Sequence, residues 1–188
     1  MIVDEYNFSD GASTLNGAKL GGGKLNAGPG IFTLGGNAAA EDVTLNGTTL
    51  NLNGQLTDVV DLTVPLGVDI RLGSSERIND SAIVNNDGGN LVLSGNETVG
   101  AYNGSGLLKG AGVLTASNYN FENNAIVAAG ANLGSGQLIS KSGIVELNGD
   151  AAAEVVQVTS GVLNLNGQLT GVTDLTVLGG ASLSSGLS

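Results

Sequence analysis

Apolar and polar residues alternate in short bursts along almost the whole chain. Val43-Thr44-Leu45, Leu50-Asn51-Leu52, Leu62-Thr63-Val64, Val145-Glu146-Leu147, Val156-Gln157-Val158 and Leu163-Asn164-Leu165 share one rule, apolar-polar-apolar. That period of two gives a strand one buried face and one wet face. The bursts are short, and Gly or Asn closes most of them. Helix signals are nearly absent, because Gly interrupts almost every window that a helix would need and each interior Gly costs a helix about 1 kcal/mol. The one helix-friendly run, Ala38-Ala39-Ala40-Glu41, echoed at Ala151-Ala152-Ala153-Glu154, is too short to stand alone. It reads as a small corner or a single turn.

The alternation recurs on a longer scale. Residues 30–75 align without a gap on residues 143–188, an offset of 113, with 25 identities in 46 positions. The centre of the match is LNLNGQLT followed by DLTV, beginning at Leu50 and again at Leu163. The copies keep Leu, Val, Ala, Asn and Gly and vary at charged positions, which is how a core and its corners are preserved.

Six Asn-Gly pairs, at Asn16, Asn46, Asn53, Asn103, Asn148 and Asn166, punctuate the strands. Taken alone, Asn-Gly signals a hairpin and an antiparallel meander. The spacing favours a different object. Turn signals fall roughly every six to ten residues, three short sides make a rung of about 20, and 113 is then five or six rungs. A unit that buries nothing alone but stacks on its neighbours is a solenoid. The expectation is therefore an all-β, parallel β-helix of about nine rungs of about 20 residues in a single domain, 1–188, with residues 1–12 as an N-terminal cap or docking segment. An outer-membrane barrel needs longer strands and aromatic girdles, which three Tyr and three Phe do not furnish.

Composition agrees and narrows the chemistry. Gly is 32 of 188 residues, aromatics are 3% and charged residues 12%. Corners that need left-handed backbone explain the Gly and Asn, and a narrow aliphatic interior would leave bulky rings outside. The net charge is −11 with no Lys/Arg cluster, so nucleic acid is a poor partner. Cys and His are both absent, which removes thiol chemistry, disulfides, His ligands and His-based acid/base catalysis. No apolar run is long enough for a membrane-spanning helix.

Candidate sites were weighed against plainer roles. Gly21-Gly22-Gly23 and Gly104-Ser105-Gly106 lack the strand-to-helix setting of a phosphate loop. Asp80 and Asp87 are the nearest thing to a Ca²⁺ site, without the repeat that secreted solenoids use for it. The pairs Glu41/Asp42 and Asp58/Asp61 become Glu154/Val155 and Gly171/Asp174 in the second copy, so a carboxylate pair is not duplicated with its module. Thr48-Thr49, Thr57 and Thr63 form no flat ice-binding array. No residue is assigned to catalysis, a cofactor or a metal, and an enzyme is not expected. Tyr6, Phe8, Tyr102, Tyr119 and Phe121 are expected at the surface, mainly as plugs and loop anchors. The polar tracts Asn85–Gly89 and Asn118–Asn124 are expected to be long corners or loops leaving the coil, the second a candidate contact for a glycan or receptor.

LNLNGQLT…DLTV, GGNLVLSGNETVG and GSGLLKGAGVLTASN resemble the repeats of bacterial autotransporter passengers and filamentous-haemagglutinin-like adhesins. The likeness is one of composition over nearly the whole chain. It implies a right-handed parallel β-helix outside the cell, in adhesion, biofilm or surface structure, and carries over no functional residue. The expected function is structural: a segment or subunit of an extracellular adhesin, fibre or surface layer. The uncharged stretch Gly180–Ser188 leaves an open edge, to be covered by more chain of a longer parent or, head to tail, by a second copy. The other reading is a carbohydrate- or receptor-binding module of an adhesin or phage tail fibre.

Overall fold

The structure, a computed structural model, describes residues 3–186. After each short strand the chain turns a corner, and after three sides it arrives one level higher, beside where it began. Two long parallel sheets result. The first runs through ten strands, from Glu5–Phe8 by way of Lys24–Ala27, Asp42–Leu45 and Asp61–Thr63 to Val155–Val158 and Asp174–Val177. The second also has ten strands, from Ser13–Thr14 and Gly30–Leu34 to Val162–Leu165 and Ser182–Ser185. The third side is sparse: the pair Lys19–Leu20 and Asn37–Ala38, the strand Ala131–Leu133, and single bridges at Leu56, Ile78, Ala151 and Leu169. The protein is a parallel β-solenoid of about 10 coils of about 19 residues. One inward column of the first sheet steps through Val43, Leu62, Val84, Tyr102, Tyr119, Leu138 and Val156. The offset of 113 residues is therefore six coils.

The interior follows from the alternation. Inward residues of successive coils stack on one another, so Leu50, Leu52, Leu62, Val64, Ile70 and Leu72 are each 0–1% exposed. A fully buried Leu or Val of this kind gains about 1.5–3 kcal/mol over its exposed state. Outward residues form ladders. The Asn103 amide donates to Asn85 Oδ1 at 2.7 Å and the Asn120 amide to Asn103 Oδ1 at 2.9 Å, with a similar bond from Asn166 to Asn148 at 2.8 Å.

Several expectations change. The Ala runs are not helical turns. Ala38, Ala40, Ala151 and Ala153 face inward at 0–1% exposure on the third side, where the coil is narrow and only a methyl group fits. The tract Asn118–Asn124 does not leave the coil. Residues Asn118–Phe121 close the ten-residue strand Gly112–Phe121, and only Glu122-Asn123-Asn124 forms an exposed corner, with Asn123 and Asn124 in left-handed backbone. Likewise Asn85 and Asn86 end the strand Ile83–Asn86.

Nor are the rings outside. Tyr102, Tyr119 and Phe121 are 0–1% exposed. Glycines of adjacent coils make the room: a Cβ on Gly104 would press on the Tyr102 ring, and one on Gly136 would sit 2.9 Å from the Tyr119 ring. Their hydroxyls find partners, as buried hydroxyls must. Asn86 donates to Tyr102 Oη at 2.9 Å, and Tyr119 donates to the Leu114 carbonyl at 2.8 Å.

Candidate interface at the coil ends

The first coil closes over its core with rings. Phe8 stacks on Phe32 with centroids 4.1 Å apart and planes 15° from parallel. Tyr6 reaches across the lumen, its hydroxyl accepting the Gly21 amide at 3.0 Å. Both rings are half-buried, unlike the three in the middle of the rod.

At the other end the aliphatic columns run out. Leu175, Val177 and Leu178 are 50%, 43% and 49% exposed. Leu175 and Val177 stand in register with Val156 and Val158 below them, which are fully buried. The strands Asp174–Val177 and Ser182–Ser185 are each paired on one side only among the described residues. An unpaired strand edge is a template for another strand.

The two ends match in polarity. Every neighbouring pair in the first sheet is parallel, including Glu5–Phe8 on Lys24–Ala27 and Asp174–Val177 on Val155–Val158. A strand like Glu5–Phe8 laid on Asp174–Val177 in the same register sets Tyr6 on Leu175 and Phe8 on Val177, with Asn7 on Thr176. It also sets Glu5 beside Asp174, a like-charge pair.

The remaining carboxylates are not gathered into a site. Asp80 and Asp87 lie at opposite ends of the strand Ile83–Asn86 and are exposed. Among the described residues no group of three or more metal-ligating side chains comes together. Asp42 and Asp61 are register neighbours on the outer face of the first sheet, with Lys24 at 3.5 Å from Asp42. Asp58 lies on the corner before them and is exposed.

One acidic residue escaped the sequence reading. Glu97 is 1% exposed and occupies an inward position. Its carboxylate accepts the Arg77 amide at 2.8 Å and the Ile78 amide at 2.6 Å. The reason is local. The step from Leu56 to Ile78 on the third side is 22 residues, whereas Ala38 to Leu56 is 18. The extra residues bulge around Glu76, whose φ is 52°, and leave two backbone donors that the Glu97 carboxylate meets. Burial pushes its pKa up to about 7, helped by the charges of Glu76 and Asp80 and opposed by the two backbone donors. The signal was present: Glu97 and Val99 share one phase of the alternation in Glu97-Thr98-Val99.

Compared with family models, curated proteins and solved structures, the chain matches none of them.

Proposed function

We propose that this β-solenoid is a structural element of an extracellular adhesin, fibre or surface layer, and that its last coil takes the first coil of a second copy. The contrast inside the repeat carries the reading. Leu62 and Val64 are 0% exposed under a further coil, and their twins Leu175 and Val177 are half exposed where the described coil stops. Open strand edges of matching polarity, an aliphatic face and a half-buried aromatic face together suit head-to-tail stacking, which propagates as a filament unless it closes into a ring. The extracellular setting rests on the likeness to autotransporter and haemagglutinin-like repeats and on a composition without Cys. No catalytic role is proposed, since no convergent carboxylates or nucleophile–base pair support one.

The test is sedimentation velocity across a concentration series, with negative-stain microscopy of the heaviest fraction. Wild type is expected to assemble into thin unbranched rods, and a Leu175→Asp/Val177→Asp variant to stay monomeric. Added salt should strengthen assembly, because it screens Glu5 against Asp174 and one acidic rod against the next. A wild type that stays monodisperse at high concentration overturns the reading, as does a double variant that assembles like wild type.

A further inference from the structure

The six Asn-Gly pairs look alike in the sequence and are two different structures in the fold. At Asn16-Gly17 and Asn46-Gly47 the pair is an exposed turn that stands off the coil. Gly17 and Gly47 have φ of 80° and 58°, and a Cβ on either would meet nothing within 4 Å. Among the described residues neither glycine amide donates a backbone hydrogen bond. At Asn53-Gly54, Asn148-Gly149 and Asn166-Gly167 the pair is a packed corner. There a Cβ would collide with the carbonyl of the coil below: Gly36 under Gly54, Ala131 under Gly149, Gly149 under Gly167. The Gly54 amide donates to Leu34 at 2.8 Å and the Gly167 amide to Leu147 at 3.0 Å. Asn103-Gly104 lies inside a strand paired on both sides.

We infer that Asn16 and Asn46 are self-modifying sites, converting to aspartate and isoaspartate through a succinimide, and that the other four pairs are held unreactive by the coil. In this step the following glycine amide nitrogen loses its proton and attacks the Asn side-chain carbon. Ammonia leaves, carrying the original amide nitrogen. Water then opens the five-membered ring at one of its two carbonyls. The sum is Asn plus water giving Asp or isoAsp plus ammonia, and no other reactant is required.

Both halves of the requirement are geometric. The glycine nitrogen must be free to act as a nucleophile, and the backbone must rotate until the side chain reaches it. Gly17 and Gly47 meet both in open solvent. Gly54 and Gly167 must first break a ladder hydrogen bond and lift off the coil below, which is a local unfolding event with its own free energy. Asn148 is further tied as the acceptor of the Asn166 amide. The product matters to this molecule in two ways. Each event adds a negative charge to a chain already at −11, and isoaspartate inserts a methylene into a turn that spans one corner.

The experiment is peptide mapping by mass spectrometry of the full chain incubated folded in mildly alkaline buffer, with a parallel sample in denaturing urea. In the folded sample Asn16 and Asn46 are expected to convert roughly tenfold or more faster than Asn53, Asn103, Asn148 and Asn166, and in urea the six rates should converge. Isoaspartate content should track the same two sites, and Gly47→Ala, whose bulkier neighbour slows ring closure, should suppress conversion at Asn46 while leaving Asn16 unchanged. Six similar rates in the folded protein, or Asn53 or Asn166 leading, would overturn the inference, as would a rate difference that persists in urea.

Discussion

Leu62 and Leu175 are the same residue in two copies of one module, and they live in different environments. The first copy carries Leu56, Val59, Leu62 and Val64 at 0% exposure, and the second carries Leu169, Val172, Leu175 and Val177 partly or half exposed. Nothing in DLTV differs between them. What differs is the coil above, which the first copy has and the described part of the second lacks. Burial in a solenoid thus belongs to the interface between neighbours more than to the repeat itself, as expected for a nearly one-dimensional fold.

The largest test of that contrast is to truncate both twins. Leu62→Ala should cost about 2–5 kcal/mol, the usual toll of a cavity in a closed core, while Leu175→Ala should cost under about 1 kcal/mol in the monomer. Urea midpoints taken below the assembly concentration would measure both, and equal losses would break the comparison.

A second test concerns the coils between the copies, where Glu97 replaces an aliphatic rung. Its pKa stands near 7 in the fold against an ordinary 4.5, so the folded state holds the proton more tightly than the unfolded chain. Its contribution is fully present below about pH 4.5 and fades as pH rises through about 7, a loss of at most about 3 kcal/mol. Wild type should therefore lose stability between pH 5 and pH 8 relative to Glu97→Gln, whose neutral side chain has nothing to titrate. Parallel pH profiles for the two proteins would refute this.

The smallest effect sharpens the difference between middle and end. Asn103 both donates and accepts along the outer ladder, so Asn103→Ala should cost about 1 kcal/mol. Asn166, near the end of its ladder and more exposed, should cost less than about 0.5 kcal/mol on the same substitution. Thermal denaturation of the pair, again below the assembly concentration, would show whether the order holds.

Much of the fold was legible because a solenoid writes itself along the chain. Period-two bursts named the strands, and the spacing of turn residues named the coil. The offset of 113, expected to be five or six rungs, is six. The misreadings share a cause. Asn118-Tyr119-Asn120-Phe121 is strict alternation, yet its polar look suggested a loop, because the asparagines were weighed by composition and not by phase. The rings were expected outside because a uniform coil has no room for them, but Gly104 and Gly136 make room locally in neighbouring coils. That pairing spans 15 or more residues and cannot be read from either segment. The interface was half legible. The open C-terminal coil was expected from its uncharged sequence, whereas the ring stack of Phe8 on Phe32 and the register that lays Tyr6 over Leu175 needed coordinates.

From sequence alone came the class of object: local alternation and regular Gly and Asn corners are properties of neighbouring residues, and they suffice for an all-β parallel coil with an aliphatic core. Only the tertiary structure decided which coils widen to admit rings, where an insertion leaves backbone donors for Glu97, and which Asn-Gly pairs are packed and which stand free. Those outcomes depend on what lies one coil above or below, some 17 to 22 residues away, and a contact at that distance is set by stacking register, which no short stretch of the chain contains.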